Sequence, residues 1–461
     1  MTLRVAHCVG FYFPENVGGT EVYVRDLATG LDRFSVESEI VAATDRGYER
    51  YDWAGAPVFR YPANWADIRA ESPASTGSSL SKFQELVLRV RPDVFHLHSW
   101  TTGAGLKHLA QVAQLGIPRV VTVHVPSALC LRGTMILNGK EACDGRIEEQ
   151  RCTQCWALSR GLPMPAAYAV SRLPRLAVAP DLSRTLGRVA TVLSARSMVG
   201  MQIRDLRKMA ELSDRLVAPS QWVFSALAAN GVPAEKIFVS RQAVADSFVS
   251  LGAAAHRTSD PGTLRIGFVG RLEPYKGPHV LLEAMKLLPR DLPVKLIVAG
   301  SGTEPPYLRT LEAAAAGDDR IEFLGSISHG QLPDFLKRID ILAVPSNYME
   351  TGPLVVLEAF AFGIPVMGAN LGGIAERIRD GVDGWLLPFQ DSKPWADAIA
   401  EVALDRRKLA ERAGNIEVKR TMTTVAEEMA AIYREVVQAG GSLDRKSTRL
   451  NSSHITISYA V

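Results

Sequence analysis

Short apolar runs alternate with segments of helical spacing, and the alternation occurs twice along the chain. No other feature limits the fold as much. Strand–helix alternation builds βαβ units, whose strands lie parallel and are covered by helices. In the first half, residues 3–9, 39–43, 93–97, 119–125 and 215–218 read as strands. Residues 20–33 carry Val22, Leu27 and Leu31 at helical spacing, and Ser220 stands where it would cap a helix starting at Gln221. The second half repeats the scheme, with strands at 264–269, 294–299, 321–324, 341–344 and 365–368 and helices such as 280–288 and 331–337.

The expected architecture is therefore α/β with two parallel-sheet domains, 1–246 and 263–422. Small, polar and Pro/Gly residues at 247–262 form the expected linker. A last helix at 423–440 carries Val425, Met429, Ile432 and Val436 on one stripe. Residues 444–461 are rich in Ser, Thr and Arg and lack a periodicity joining them to the fold, so they read as a non-native tail, with a native disordered tail as the alternative. Residues 71–81 are Ser/Pro/Gly-rich and read as a loop. Residues 160–208 hold nine Lys/Arg and two Asp among apolar residues. They read either as a solvated helical insert, with helices between 182 and 209, or as a surface for an anionic membrane.

Composition removes several classes of function. With 52 basic and 49 acidic residues the net charge is +3, which gives no general case for nucleic acid. No apolar run approaches the ~20 residues of a membrane helix. The opening residues lack the basic and apolar regions of a secretion signal, so a cytoplasmic protein is expected.

The chemistry concentrates at strand ends. Strand 341–344 runs into Pro345-Ser346-Asn347-Tyr348-Met349-Glu350-Thr351-Gly352-Pro353-Leu354, followed by Glu358. Thr351 is a candidate N-cap and Pro353 fits a first helical turn, whose free N–H groups suit a phosphate. Eight residues with a helical rise of 1.5 Å separate Glu350 and Glu358 by about 10–12 Å, too far for a retaining hydrolytic pair at ~5 Å. The spacing suits two carboxylates gripping one extended ligand; a loop carboxylate and a helix-surface residue are the plain alternative. Upstream, Gly270-Arg271-Leu272-Glu273-Pro274-Tyr275-Lys276 again follows a strand, and Arg271 with Lys276 could clamp a diphosphate. A third loop, Asn370-Leu371-Gly372-Gly373, follows the strand ending at 368. Open parallel sheets bind ligands at these carboxyl ends. In the first half Gly18-Gly19 precedes a helix, either as a close approach to a ligand or as a tight turn. His98 and His124 also lie at strand ends, where a lone histidine is usually a satisfied core residue.

Together these motifs resemble the retaining nucleotide-sugar glycosyltransferases of the GT-B fold, the group that holds bacterial mannosyl- and glucosyltransferases of cell-surface glycans. The resemblance covers about residues 3–440. It implies two Rossmann-like domains facing a central cleft and a C-terminal helix crossing back to the first domain. It implies that Arg271 and Lys276 hold the donor diphosphate, Glu350 the sugar hydroxyls and Glu358 the ribose. The backbone after Glu350, at Thr351, Gly352, Pro353 and Leu354, would assist the phosphate or sugar. Gly18 and Gly19 would lie under the phosphates and His124 beside the transferring sugar. The family often carries an Asn-Gly-Val-Asp-like segment before its second domain; here it reads Arg241-Gln242-Ala243-Val244-Ala245-Asp246. The implied donor is a UDP- or GDP-sugar, and the implied acceptor is a glycan or lipid-linked molecule of polysaccharide, lipopolysaccharide or glycolipid synthesis. No catalytic metal is expected. An epimerase of the same fold and a non-catalytic nucleotide-sugar-binding protein are the alternatives.

Cys130, Cys143, Cys152 and Cys155 are separated by 12, 8 and 2 residues. The closing Cys-x-x-Cys is a frequent zinc half-site, so a structural zinc is expected. Disulfides, an iron–sulfur cluster or free thiols are the other readings. Cys8 lies in the first strand and is expected to be buried.

Overall fold

The computed structural model describes residues 2–15, 18–63, 78–175, 187–254 and 262–452, with side chains described as far as residue 440. The first domain is built on β1 (Leu3–Val9), β2 (Val36–Thr44), β3 (Glu49–Trp53), β4 (Ala56–Pro62), β5 (Val94–Leu97) and β6 (Arg119–Thr122). A small hairpin, β7 (Ile136–Leu137) with β8 (Glu141–Ala142), precedes β9 (Arg215–Ala218) and β10 (Ile237–Val239). Eight of these strands form one sheet in the order β10-β9-β6-β5-β1-β2-β4-β3, parallel except for β3, which pairs antiparallel with β4 at the edge. The β3–β4 hairpin was not expected; its alternating half-buried residues give a weaker signal than the almost wholly buried β1 and β5.

The second sheet holds β11 (Leu264–Val269), β12 (Val294–Ala299), β13 (Ile321–Gly325), β14 (Ile341–Val344), β15 (Val366–Ala369) and β16 (Gly384–Leu387). Its order, β13-β12-β11-β14-β15-β16, is the doubly wound order in which direction reverses between the first and fourth strands. In the first sheet the reversal lies between β1 and β5. Each reversal opens a crevice at the carboxyl ends of the strands, and the two crevices share one cleft.

Two expectations about chain organisation change. The first part of the expected linker is a helix, Asp246–Ala253, whose Phe248 belongs to the core of the second domain. It lies so close to the helix Leu354–Ala361 that a Cβ on Gly252 would stand 1.9 Å from the Ala361 carbonyl oxygen. Residues 255–261 lie outside the described residues. The last helix runs Met422–Ser452 and so does not stop at 440. Met422, Val425, Met429, Ile432 and Val436 pack with Val22, Leu27 and Leu31 of the helix Gly19–Leu31, so this element crosses back onto the first domain as expected. In the basic insert, helices form at Met164–Arg172, Arg188–Leu193 and Ala195–Leu212, while 176–186 lie outside the described residues. Of the expected loop at 71–81, 71–77 lie outside as well, and Ser78 caps a helix Ser79–Val90 by accepting from the Ser81 amide at 3.1 Å. Cys8 is fully buried.

Candidate active site

The loop after β11 turns back under the loop after β14. Gly277 holds φ at +72°, and a Cβ there would lie 2.0 Å from the Pro345 carbonyl oxygen, so only glycine allows the two loops to touch. The contact brings Lys276 to Glu350. Lys276 Nζ stands 2.7 Å from Glu350 Oε1 and 3.1 Å from the Tyr348 hydroxyl. Ser346 donates to Glu350 Oε1 at 2.9 Å and Tyr348 to Oε2 at 2.5 Å. Burial alone would push the Glu350 carboxyl up, but Lys276 and the two hydroxyls outweigh it and hold the carboxyl below its ordinary range. Tyr348 is driven the other way, chiefly by burial and then by the neighbouring carboxylate. Glu350 is therefore an ionised, fully oriented group. Arg271 is exposed to the cleft, with its guanidinium 5.4 Å from the Tyr275 ring centre. Glu358 is buried and accepts from His329 Nε2 at 2.8 Å.

Thr351 does not cap the next helix. That helix is Leu354–Ala361 with Pro353 at its N-cap, and Thr351 Oγ1 instead donates across the cleft to the His124 carbonyl at 2.6 Å. The backbone of Glu350 also joins the domains, its carbonyl accepting from Trp222 Nε1 at 2.8 Å and from the Gly373 amide at 2.7 Å. A second bridge replaces the expected Ser220 cap. The Ser220 hydroxyl is buried without a hydrogen-bond partner among the described residues, and Glu376 of the second domain accepts from the amides of Gln221 and Trp222 at 2.8 Å each.

Gly18, Gly19, His124, Arg271, Lys276, Glu350, Thr351, Gly352, Pro353, Leu354 and Glu358 all line one cleft of about 680 Å³. That volume is ample for a nucleoside diphosphate carrying one sugar. Nothing lies within 4 Å of where a Cβ on Gly19 would stand, and the Gly18 amide donates to Glu21 at 2.8 Å. Sequence reasoning missed Tyr348, Ser346, His329 and Gln242 as cleft residues. The first two sat inside the quoted motif, but nothing in their spacing marked them as partners of Glu350.

Cys130, Cys143 and Cys152 lie within electrostatic reach of one another, while Cys155 is turned to other partners. All are free thiols, and among the described residues no set of three metal-capable groups that includes a cysteine has its ligand atoms within 4.8 Å. Cys155 is buried, and its sulfur accepts from the Asn138 amide at 3.1 Å and from Arg132 at 3.4 Å. Burial pushes the Cys143 thiol up, and Cys152 up to about 11, in the metal-free protein. As they stand, the four sulfurs do not form a close tetrahedral set, and Cys155 would have to turn from Asn138 and Arg132 to join one. Hydrogen bonding orders the segment instead, and it borders the cleft through Arg132, Gly133 and Thr134.

Two facing doubly wound domains with cationic and carboxylate-bearing loops at their shared crevice define the GT-B architecture. The family "Glycosyl transferase 4-like domain" matches residues 18–241, and "Glycosyl transferases group 1" matches 255–420. The D-inositol 3-phosphate glycosyltransferase of Saccharomonospora viridis is 27% identical over 92% of this chain and 91% of its own length. That of Corynebacterium urealyticum is 34% identical, but the similarity spans 37% of this chain and 43% of that protein. Among solved structures, Anabaena Alr3699/HepE in complex with UDP and glucose has 18% identity and a TM-score of 0.58, covering 97% of this chain and 99% of that one. WaaG, a glycosyltransferase involved in lipopolysaccharide biosynthesis, has 14% identity and a TM-score of 0.59, covering 93% and 99%. The chain belongs to the glycosyltransferases and has the GT-B fold of these neighbours.

Proposed function

We propose that the protein is a retaining hexosyltransferase that uses a UDP-sugar and delivers the sugar to a hydroxyl group of a glycan, lipid-linked or phosphorylated polyol acceptor. The observation that carries this reading is the Lys276–Glu350–Tyr348 clamp, set beside Arg271 at the reversal point of the second sheet and opposite His124. Glu350 has both oxygens engaged, which suits a group that orients sugar hydroxyls rather than an attacking nucleophile. As the bond from the anomeric carbon to the phosphate oxygen breaks, negative charge grows on the leaving diphosphate, where Arg271, Lys276 and the N-terminal amides of Leu354–Ala361 stabilise it. The acceptor oxygen forms its bond to the anomeric carbon on the same face, and its proton passes to the leaving phosphate oxygen. UDP is favoured because Alr3699/HepE is described in complex with UDP and glucose. The phosphorylated polyol is included because of the name carried by the full-length relative.

Incubation with UDP-glucose and GDP-mannose, in the presence of lipid-linked glycans or inositol phosphate, tests the reading through nucleotide release and the anomeric configuration of the product. Release from neither donor, or an inverted product, would sink it. The site of action is part of the same proposal. No helix among the described residues is long and apolar enough to cross a membrane. Exposed Met164, Tyr168 and Met201 alternate with exposed Arg172, Arg204 and Arg207, which suits peripheral contact with an anionic membrane face. Co-flotation with anionic vesicles that persists unchanged in vesicles lacking anionic lipid would count against that contact.

A further inference from the structure

Below the cleft floor, three imidazoles stand in single file. His7 Nδ1 lies 3.0 Å from His98 Nε2, and His98 Nδ1 lies 3.2 Å from His124 Nε2. At the cleft end, His124 Nδ1 lies 3.3 Å from the side-chain amide of Gln242. All four side chains are buried. Burial keeps the imidazoles neutral, with His7 and His124 lowered to about 3 and His98 well below its ordinary value. His96 packs beside the row, but Tyr433 at 2.7 Å and Thr122 at 2.7 Å occupy both its nitrogens. A cation held by His7, His96 and His98 would have to break these bonds.

A neutral imidazole has one N–H and one lone pair, so the choice at one end sets the whole row. If Gln242 donates to His124, each ring carries its proton on Nε2. The last of these, on His7, then has no hydrogen-bond partner among the described residues, in a fully buried position. The opposite direction places each proton on Nδ1, donating from His7 to His98, from His98 to His124 and from His124 towards Gln242. It leaves only a lone pair at His7 Nε2, and a buried orphan lone pair is tolerated better than a buried orphan N–H. The same direction requires the Gln242 amide to turn over, so that its oxygen, without a partner among the described residues as placed, accepts from His124 Nδ1–H and its NH2 faces the cleft wall at Gly352.

We infer that His98 is a positioning residue that fixes His124 as its Nδ1–H tautomer, so that His124 offers the sugar side of the cleft a hydrogen-bond donor. Gln242 holds that proton in the unliganded protein. It fills the space between His124 and the turn at Gly352, where an added Cβ would meet its Oε1 at 2.4 Å. A sugar hydroxyl or phosphate oxygen entering there takes its place as acceptor. The catalytic consequence rests on the donor-site reading above; the tautomer does not.

The test uses full-length protein labelled with ¹⁵N-histidine, and nucleotide release from UDP-glucose and GDP-mannose. His98→Leu removes the donor to His124, whereas His98→Asn keeps an N–H near the place of Nδ1. The expected wild-type spectrum shows His124 protonated at Nδ1 and bare at Nε2. In a folded His98→Leu protein that signature is lost and kcat falls about tenfold, with less change in donor KM, while His98→Asn recovers most of both. A wild-type spectrum with His124 protonated at Nε2 overturns the inference. So does a folded His98→Leu protein that keeps both the signature and kcat. The wild-type spectrum decides the tautomer even if His98→Leu fails to fold. Release from neither donor refutes the donor-site reading instead, and the spectrum still decides the tautomer.

Discussion

Replacing Glu350 by Gln removes one negative charge from a point on which three donors converge. Lys276 and Ser346 approach one oxygen at 2.7 and 2.9 Å, and Tyr348 approaches the other at 2.5 Å. Hydrogen bonds to a charged group contribute about 1.5–3 kcal/mol each, and leaving a buried partner uncompensated costs still more. The Lys276 side chain is 22% exposed, so water recovers part of its loss. The net expectation is a loss of about 2–4 kcal/mol of stability at pH 7. Because the substituted amide brings its own N–H groups towards a cluster of donors, the sugar-orienting geometry fails too, and kcat/KM should drop by about 10²–10³. The pH dependence separates this from general damage. The wild-type carboxyl is held below its ordinary range, so its contribution is complete above the unfolded pKa of about 4.3 and is lost as pH falls through the lower folded value. E350Q has no carboxyl and should lack that acid-side decline. Denaturant unfolding between pH 3 and 7 and nucleotide-release kinetics measure both effects. A variant within about 0.5 kcal/mol of wild type at pH 7, with kcat/KM within about threefold, refutes the clamp. Adding Lys276→Met to E350Q should recover part of the stability, because neither charge is then left alone.

Glu376→Ala removes the cap on the Gln221 and Trp222 amides, worth about 1 kcal/mol, and with it a tie between the domains. Donor KM should rise severalfold with little change in unfolding midpoint, and an unchanged KM would rule out a role in holding the cleft. Gly277→Ala forces a Cβ into the Pro345 carbonyl from a positive φ, so a loss of more than about 3 kcal/mol is expected, read as a large fall in soluble yield and melting temperature. Elemental analysis of purified protein should find no stoichiometric zinc. One zinc per chain would mean that Cys155 gives up its bonds to Asn138 and Arg132 and that the segment folds around metal.

The parallel-sheet architecture was legible because buried parallel strands read as largely apolar runs; β1, β9, β11, β12 and β14 fall where those runs predict. The candidate site residues were legible because their loops follow such strands directly, and the structure gathers them at one cleft. What could not be read were contacts made between the halves. Thr351 looked like a helix cap by local chemistry, yet its partner is the carbonyl of His124, distant in sequence. Ser220 had the right type and position for a cap, but Glu376 from the other domain supplies the oxygens. The cysteine spacing fitted zinc because spacing along the chain says nothing of where each sulfur turns, and the Cys155 sulfur turns towards Asn138 and Arg132. Gln242 was visible only as a departure from the resembled family's segment, with no hint that it closes a row of buried imidazoles.

The helix that begins at Met422 has a practical consequence for dissecting the molecule. It supplies Val425, Met429, Tyr433 and Val436 to the same core as Val5, Val24 and Leu27, so the first domain is assembled from segments far apart in the chain. Cutting the coding sequence at the domain boundary near 246 would yield an amino-terminal half with a bare apolar groove and a carboxyl-terminal half trailing an unshielded greasy helix. A free-standing first domain therefore calls for grafting 422–440 behind 1–246 through a flexible spacer. Shuffling between relatives should likewise exchange that helix together with the amino-terminal half, although it is encoded after the carboxyl-terminal one.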